Sequence, residues 1–207
     1  MDNKITIIDY GLGNLGSIKN MLKKIGVASE ITNDLSKIKL ANKLILPGVG
    51  SFDDGMNNLI KLNLQNILND KVLIDKVPIL GICLGMQLML NSSDEGFSTG
   101  LNWVNGKSIK FADLYKGHKL IVPHMGWNNV SVLKKNKLFS QDILDYRFYF
   151  VHSYYVQLDS RNDIIGQTTY GLDFTSSFNC DNIYGVQFHP EKSHKFGMNL
   201  LKNFSTL

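Results

Sequence analysis

Residues 78–90 read PILGICLGMQLML, with Cys83 placed two residues from a glycine on either side, Gly81-Ile82-Cys83-Leu84-Gly85. A short apolar run, VPILGI, ends here, and a helical pattern, LGMQLMLNSS, begins. Strand, then Gly-x-nucleophile-x-Gly, then helix is the layout of a nucleophile elbow, a sharp turn that exposes a side chain and aims it away from the sheet. Glycine suits both flanks because neighbours crowd such a turn where a Cβ would clash. The helix adds electrostatics: its N-terminal dipole and free N–H groups favour a thiolate, and its first N–H can face an oxyanion. The competing reading is a buried free cysteine, one of the most often buried residue types. That accounts for the apolar neighbours and leaves the two glycines unexplained.

Upstream of the elbow, short apolar runs alternate with longer amphipathic ones. KITIIDY predicts a strand, GLGN a loop, and LGSIKNMLKKIG a helix whose closing Gly26 suits a left-handed C-cap. VASEIT and KLILPGVG predict two more strands, the second followed by a helix through DDGMNNLIKLNLQNILND. This rhythm means a parallel sheet with helices on its faces, because parallel neighbours need a crossover long enough to hold a helix. Downstream, RFYFVHSYYVQL, IIGQTTYG and NIYGVQFH are aromatic and β-branched runs, separated by turn-prone residues such as Asn179-Cys180-Asp181-Asn182, and predict added antiparallel strands. KFGMNLLKNF closes the chain as a helix. No Pro-rich or Ser-rich linker and no repeat divides residues 1–207, so a single α/β domain is expected.

The bulk numbers exclude several classes. Hydrophobic content of 43% and charged content of 19% belong to a folded chain. The longest uncharged apolar stretch, Val77 to Leu90, is shorter than the ~20 residues of a membrane span, and the N-terminus has no secretion-signal pattern, so a cytoplasmic location is expected. The net charge is +4, but only Arg147 and Arg161 among the 22 basic residues are arginines, and the lysines are scattered among acids. That is a solvated surface rather than a nucleic-acid footprint. Two cysteines, Cys83 and Cys180, make neither a disulfide scaffold nor a zinc site.

Ligands of open α/β sheets sit at the carboxyl ends of the parallel strands. The first strand end carries Gly11-Leu12-Gly13-Asn14-Leu15-Gly16, a match to the dinucleotide fingerprint with Glu30 and Asp34 about twenty residues on. Glu30 lies inside its strand rather than at its end, and the same glycines suit a turn that another backbone or a partner approaches closely. The third strand end carries Pro47-Gly48-Val49-Gly50-Ser51, whose peptide N–H groups can turn outward to hold an oxyanion. A thiol nucleophile needs a base and the base an orienter. Of the five histidines, His189 stands out: GVQFHPEK gives a strand end, a proline that cannot continue the ladder, and Glu191 two positions on, able to reach the imidazole and set its tautomer. A surface histidine beside a glutamate is the plainer alternative.

PGVG, GICLGMQ and GVQFHPEKS, in that order, resemble the class I glutamine amidotransferases, the Cys-His-Glu glutaminase type. IDYGLGN, PHMGWN at 123–128 and YFVHSYY at 149–155 resemble the glutaminase subunits of imidazole glycerol phosphate synthase, and the resemblance runs from Ile5 to Phe204. It implies a flavodoxin-like fold in which Cys83 attacks the carboxamide of glutamine to give a glutamyl thioester and ammonia. His189 acts as acid and then base, with Glu191 holding its ring. The resemblance further implies oxyanion donors at Val49 or Gly50 and Leu84, and glutamine held by Gly48, Gln87, Glu95, Ser153 and Tyr154. Asn14, Trp127, Tyr149 and Lys192 match positions that face a partner, a (β/α)8 cyclase of the HisF type that receives ammonia. No metal or organic cofactor is implied. Ile121 stands where these subunits usually carry lysine and Asn105 where they tend to carry proline. The HPEKSHKFGMNLLKNF tail is also similar to paralogues in surface-polysaccharide clusters that feed ammonia to a sugar-modifying enzyme.

Overall fold

A computed structural model describes residues 4–112, 114–115, 118–140 and 145–207. The strands are β1 (Ile5–Ile8), β2 (Ser29–Thr32), β3 (Leu44–Gly48), β4 (Ile79–Cys83), β5 (Ser92–Ser93), β6 (Gly106–Lys110), β7 (Leu114–Tyr115), β8 (His118–Lys119), β9 (His124–Val132), β10 (Tyr146–His152), β11 (Tyr154–Leu158), β12 (Ile164–Tyr170), β13 (Leu172–Cys180) and β14 (Ile183–Val186). The α-helices are α1 (Leu15–Lys24), α2 (Leu35–Lys39), α3 (Phe52–Lys61), α4 (Leu64–Asn69), α5 (Leu84–Leu88) and α6 (His194–Ser205).

Five strands, in the order β2-β1-β3-β4-β14, are parallel and form the core of the main sheet. This is the flavodoxin-like order of a doubly wound sheet. Alternate residues on each strand serve opposite faces. Leu44, Leu46 and Ile79 pack with Ile38, Phe52, Met56, Leu64 and Leu68 of α2, α3 and α4, while Ile45, Leu80 and Ile82 pack with Ile18 and Leu22 of α1 and with Leu200, Leu201 and Phe204 of α6. Beyond β14, strands β13, β12, β9 and β10 continue the sheet in antiparallel fashion, and β11 with β6 and β5 branches from β13. Among the described residues, no helix is long and apolar enough to cross a membrane.

Local chemistry explains where elements stop. Gly26 has φ 74, and Val27 and Gly26 donate to Leu22 O and Lys23 O, a Schellman close for α1. The helix expected through residues 53–70 breaks at Asn63, which adopts a left-handed conformation with φ 56. The helix after Cys83 ends at Leu88 rather than running on through Ser93, because its last carbonyls are taken by returning chain: Leu101 N–H donates to Leu88 O and Trp103 N–H to Met89 O. RFYFVHSYYVQL is two strands, not one; it parts at Ser153, and the halves pair with different neighbours. Among the described residues two lysines are buried: Lys43, with Nζ on Ser205 O, and Lys71, whose Nζ reaches out to the exposed Asp75.

Candidate active site

The carboxyl ends of β1, β3, β4 and β14 lie side by side, and each contributes. Cys83 ends β4 with φ 54 and ψ −112, a backbone conformation that costs on the order of 1–3 kcal/mol for a residue with a side chain. The strain therefore sits on the cysteine itself. The glycines serve close approach: a Cβ on Gly81 would lie 2.8 Å from Gly85 O and from Met86 Cα, and one on Gly85 would overlap the carbonyl of Leu46 in β3. Glycine at both places lets α5 sit directly over β3 and β4, so that Cys83 turns off the sheet edge.

Gly48 stands opposite Cys83 in the β3–β4 register. A Cβ there would overlap the Tyr10 hydroxyl and reach 2.8 Å from Leu84 Cβ. Tyr10 donates to Pro47 O at 2.6 Å, and burial, with the neighbouring Cys83, pushes its phenol pKa up, so it stays a donor. Val49 and Gly50 follow at the rim, Gly50 with φ 123.

β14 runs beside β4 and delivers the base. His189 follows it, 1% exposed, and its Nδ1 meets Glu191 Oε1 at 2.8 Å. Asn14, at the end of the glycine loop, donates its amide to the same oxygen at 3.0 Å. Ser193 Oγ donates to His189 O at 2.6 Å and accepts from Tyr149 N–H, which ties the segment to β10. Burial alone would lower the His189 pKa; hydrogen bonding and charge from Cys83 and Glu191 reverse this and push it up to about 10. Burial alone would raise Glu191; the imidazole and the Asn14 amide hold it below the usual carboxylate range. His189 Nε2 is buried with no hydrogen-bond partner of ordinary geometry, which leaves it the ring atom able to exchange a proton.

A cavity of about 310 Å³ opens in front of Cys83, lined by Val49, Gly50, Leu84, Gln87, Glu95, Ser153 and Tyr154 among others. It thus gathers every residue expected to form the oxyanion site or hold glutamine except Gly48, which lies beneath it. Gln87 Nε2 donates to Tyr154 O and Gln187 Oε1. Glu95 accepts from Phe52 N–H at 2.9 Å, and burial, opposed by that bond, raises its pKa. Such a carboxylate, sharing the cavity with a thiol, suits an amino-acid amide whose ammonium needs a counter-charge.

Of the residues expected to face a partner, Trp127 and Tyr149 are opposite in the β9–β10 register with rings 6.5 Å apart, and Lys192 Nζ lies 5.5 Å from the Tyr149 ring. Asn14 is placed differently, against Glu191. The glycine fingerprint has a local use: a Cβ on Gly13 would come within 3.1 Å of Pro47 Cβ, so the loop packs on the β3 end. Glu30 pairs with Lys4 and Asp34 caps α2, so neither acid faces that loop. Gln187, whose Nε2 lies 3.7 Å from Cys83 Sγ, was not expected. Its signal was a glutamine amid the buried Val186 and Phe188. His124 and His152, in PHMGWN and YFVHSYY, have no acid nearby in sequence and carry no catalytic expectation, yet the structure sets them 2.9 Å apart.

The family model described as "Glutamine amidotransferase class-I" matches residues 6–206. A protein of Methanococcus maripaludis named "Imidazole glycerol phosphate synthase subunit HisH 2" is 58% identical over 97% of this chain and 98% of its own length. One of Leptospira borgpetersenii named "Imidazole glycerol phosphate synthase subunit HisH" is 44% identical over 98% of this chain and 100% of its own. A crystal structure described as a glutamine amidotransferase superposes with a TM-score of 0.75 at 12% identity, covering 98% of this chain and 99% of that one, a likeness of fold. With an elbow cysteine, a buried His–Glu pair and a full-length family match, the chain belongs to the class I glutamine amidotransferases.

Proposed function

We propose that the protein is the glutaminase subunit of an imidazole glycerol phosphate synthase, acting in histidine biosynthesis. The observation that carries this is the alignment of Cys83 and the His189–Glu191 pair behind a pocket lined by Gln87 and Glu95. Glutamine enters with its ammonium toward Glu95 and its carboxamide toward Cys83. His189, held protonated near neutrality by its raised pKa, already carries on Nε2 the proton that Sγ gives up; Sγ attacks the carboxamide carbon, and the oxyanion meets backbone N–H groups of Leu84 and of Val49 or Gly50. Collapse expels ammonia, which takes the proton from His189, and leaves a glutamyl thioester. His189 then draws a proton from water, whose oxygen attacks the thioester; glutamate leaves and the resting Cys83–His189 pair is restored.

Ammonia is protonated in bulk water near neutrality and is then no nucleophile, so it has to be delivered through a sealed passage. The receiving subunit in this reading is a HisF-type (β/α)8 cyclase seated on the face of Trp127, Tyr149 and Lys192. A second reading, a paralogue that supplies a sugar-modifying enzyme, is favoured by Ile121: it replaces the usual lysine, is 73% exposed, and shares its segment with the exposed Met125 and Trp127. Glutamate release from glutamine, measured with and without a HisF-type subunit in wild type and Cys83→Ala, tests the proposal. Release that depends on Cys83 and rises with the cyclase supports it. Undiminished release by Cys83→Ala refutes the site, and Cys83-dependent release indifferent to the cyclase favours the second reading.

A further inference from the structure

His124 and His152 form a buried pair that the mechanism above does not use. His124 Nδ1 lies 2.9 Å from His152 Nε2, and His152 Nδ1 lies 2.7 Å from Tyr154 O. At the other end, Asn128 Nδ2 approaches His124 Nε2 at 3.2 Å and donates to Thr169 O at 3.0 Å, while its Oδ1 accepts from Asn129 N–H. These contacts determine every hydrogen. A backbone carbonyl only accepts, so His152 must carry its proton on Nδ1 and present a bare Nε2. His124 must then donate from Nδ1 and present a bare Nε2 in turn. Asn128, oriented by the Thr169 carbonyl and the Asn129 amide, supplies the donor that Nε2 needs.

The series ends in the pocket. Tyr154 O accepts from His152 and from Gln87, and Gln87 spends its other amide hydrogen on Gln187, which reaches Cys83 Sγ. His152, Ser153, Tyr154 and Gln87 all line the cavity in front of Cys83. We infer that His124 and His152 are positioning residues for glutamine: their fixed, neutral tautomers hold the Tyr154 carbonyl, and through it the Gln87 amide, in the geometry that receives the substrate. The inference rests on the glutaminase reading for its substrate and on the hydrogen-bond pattern alone for its tautomers. Burial holds both rings neutral, lowering His124 to about 4 and His152 to about 3. The titratable groups that bear on His152 are His124 and His189, and charge on either would oppose its protonation. The rings packed around the pair, Phe111, Phe150, Tyr170 and Phe174, carry no charge to offset them.

The test begins with the whole chain labelled with 15N-histidine. Long-range 15N–1H correlation is expected to show two rings protonated at Nδ1 and bare at Nε2, unchanged from about pH 8 to about pH 5.5. Protonation at Nε2 in either ring, or titration of either near the ordinary histidine value, overturns the inference. His124→Phe then keeps the stacking on Phe150 and Tyr170 and removes the donor. With the partner subunit present, its KM for glutamine is expected to rise about tenfold, the fold-change of one lost neutral hydrogen bond, with kcat within about threefold. His124→Asn restores a donor at the Nδ1 position and is expected to recover most of that loss. An unchanged KM in His124→Phe, or no recovery in His124→Asn, overturns the role. Should either variant fail to fold, the wild-type tautomers decide. Failure of the glutaminase reading would instead show as turnover independent of Cys83, which the tautomer spectrum does not register.

Discussion

Asn14 donates its side-chain amide to Glu191 Oε1 at 3.0 Å, across 177 positions of sequence, and His189 Nδ1 meets that same oxygen at 2.8 Å. The glycine loop after β1 is thereby bound into the acid–base pair from the side away from the pocket. Asn14→Ala is expected to lower kcat for glutamine hydrolysis about tenfold with little change in KM, because Glu191 loses its second anchor while the pocket is untouched. Asn14→Asp sets a second carboxylate against Glu191 and is expected to cost more than Asn14→Ala. Steady-state kinetics check both; equal activity in all three proteins would remove Asn14 from the account.

Glycines flanking Cys83 and glycines in the fingerprint differ in what surrounds them. A Cβ on Gly85 would overlap the Leu46 carbonyl, which cannot move without breaking β3. Gly85→Ala is therefore expected to destabilise the fold by about 3 kcal/mol or more. Gly16 lies in α1 with nothing within 4 Å of its would-be Cβ, so Gly16→Ala is expected to be neutral or to stabilise by about 0.5 kcal/mol. Urea unfolding of the two variants checks the contrast.

His189 and Glu191 give stability a pH signature. His189 has a folded pKa of about 10 against an ordinary 6.5, so its contribution is fully present below pH 6.5 and is lost as pH rises toward about 10. Glu191 lies below its ordinary 4.5, so its contribution is present above pH 4.5 and is lost as pH falls below that. Cys83→Ala removes one cause of the His189 shift. Unfolding free energy of wild type is expected to fall more steeply between pH 6.5 and 10 than that of Cys83→Ala, and parallel curves would contradict the assignment.

Glu95 is the acid of the pocket, its pKa raised chiefly by burial. Glu95→Gln is expected to raise KM for glutamine at least about tenfold and leave kcat within about threefold, since in the proposed reaction the residue meets the ammonium rather than the carboxamide. In wild type, glutamine affinity is expected to weaken with falling pH at a point above the ordinary 4.5, as Glu95 protonates. Inhibition by glutamate analogues across pH 4–7, a range of about three units around that value, checks the direction.

The parallel core and the candidate catalytic residues were legible in the sequence because each is a local event. A strand end, a glycine and a reactive side chain fall within a few residues, as at Gly81–Gly85 and at His189–Glu191. What escaped depends on distant chain. The position of Asn14 on Glu191 requires β1 and β14 to end at one level. The His124–His152 pair requires the β9–β10 register, which sets those two residues opposite each other. Gln187 reaches Cys83 because β14 and β4 run in step, Val186 beside Ile82. The short α2 and the early end of α5 were illegible for the same reason: capping by Asp34 is visible in sequence, but the loop between β5 and β6 that takes the last carbonyls of α5 is not.

In the proposed reaction Cys83 carries the glutamyl group between ammonia release and hydrolysis. Acid quenching during turnover of glutamine with the partner subunit, followed by mass analysis of the peptide containing Cys83, measures this directly. A glutamyl adduct on that peptide in wild type, absent with turnover in Cys83→Ala, is the predicted result. Turnover that persists in Cys83→Ala, with no adduct on the wild-type peptide, would contradict it.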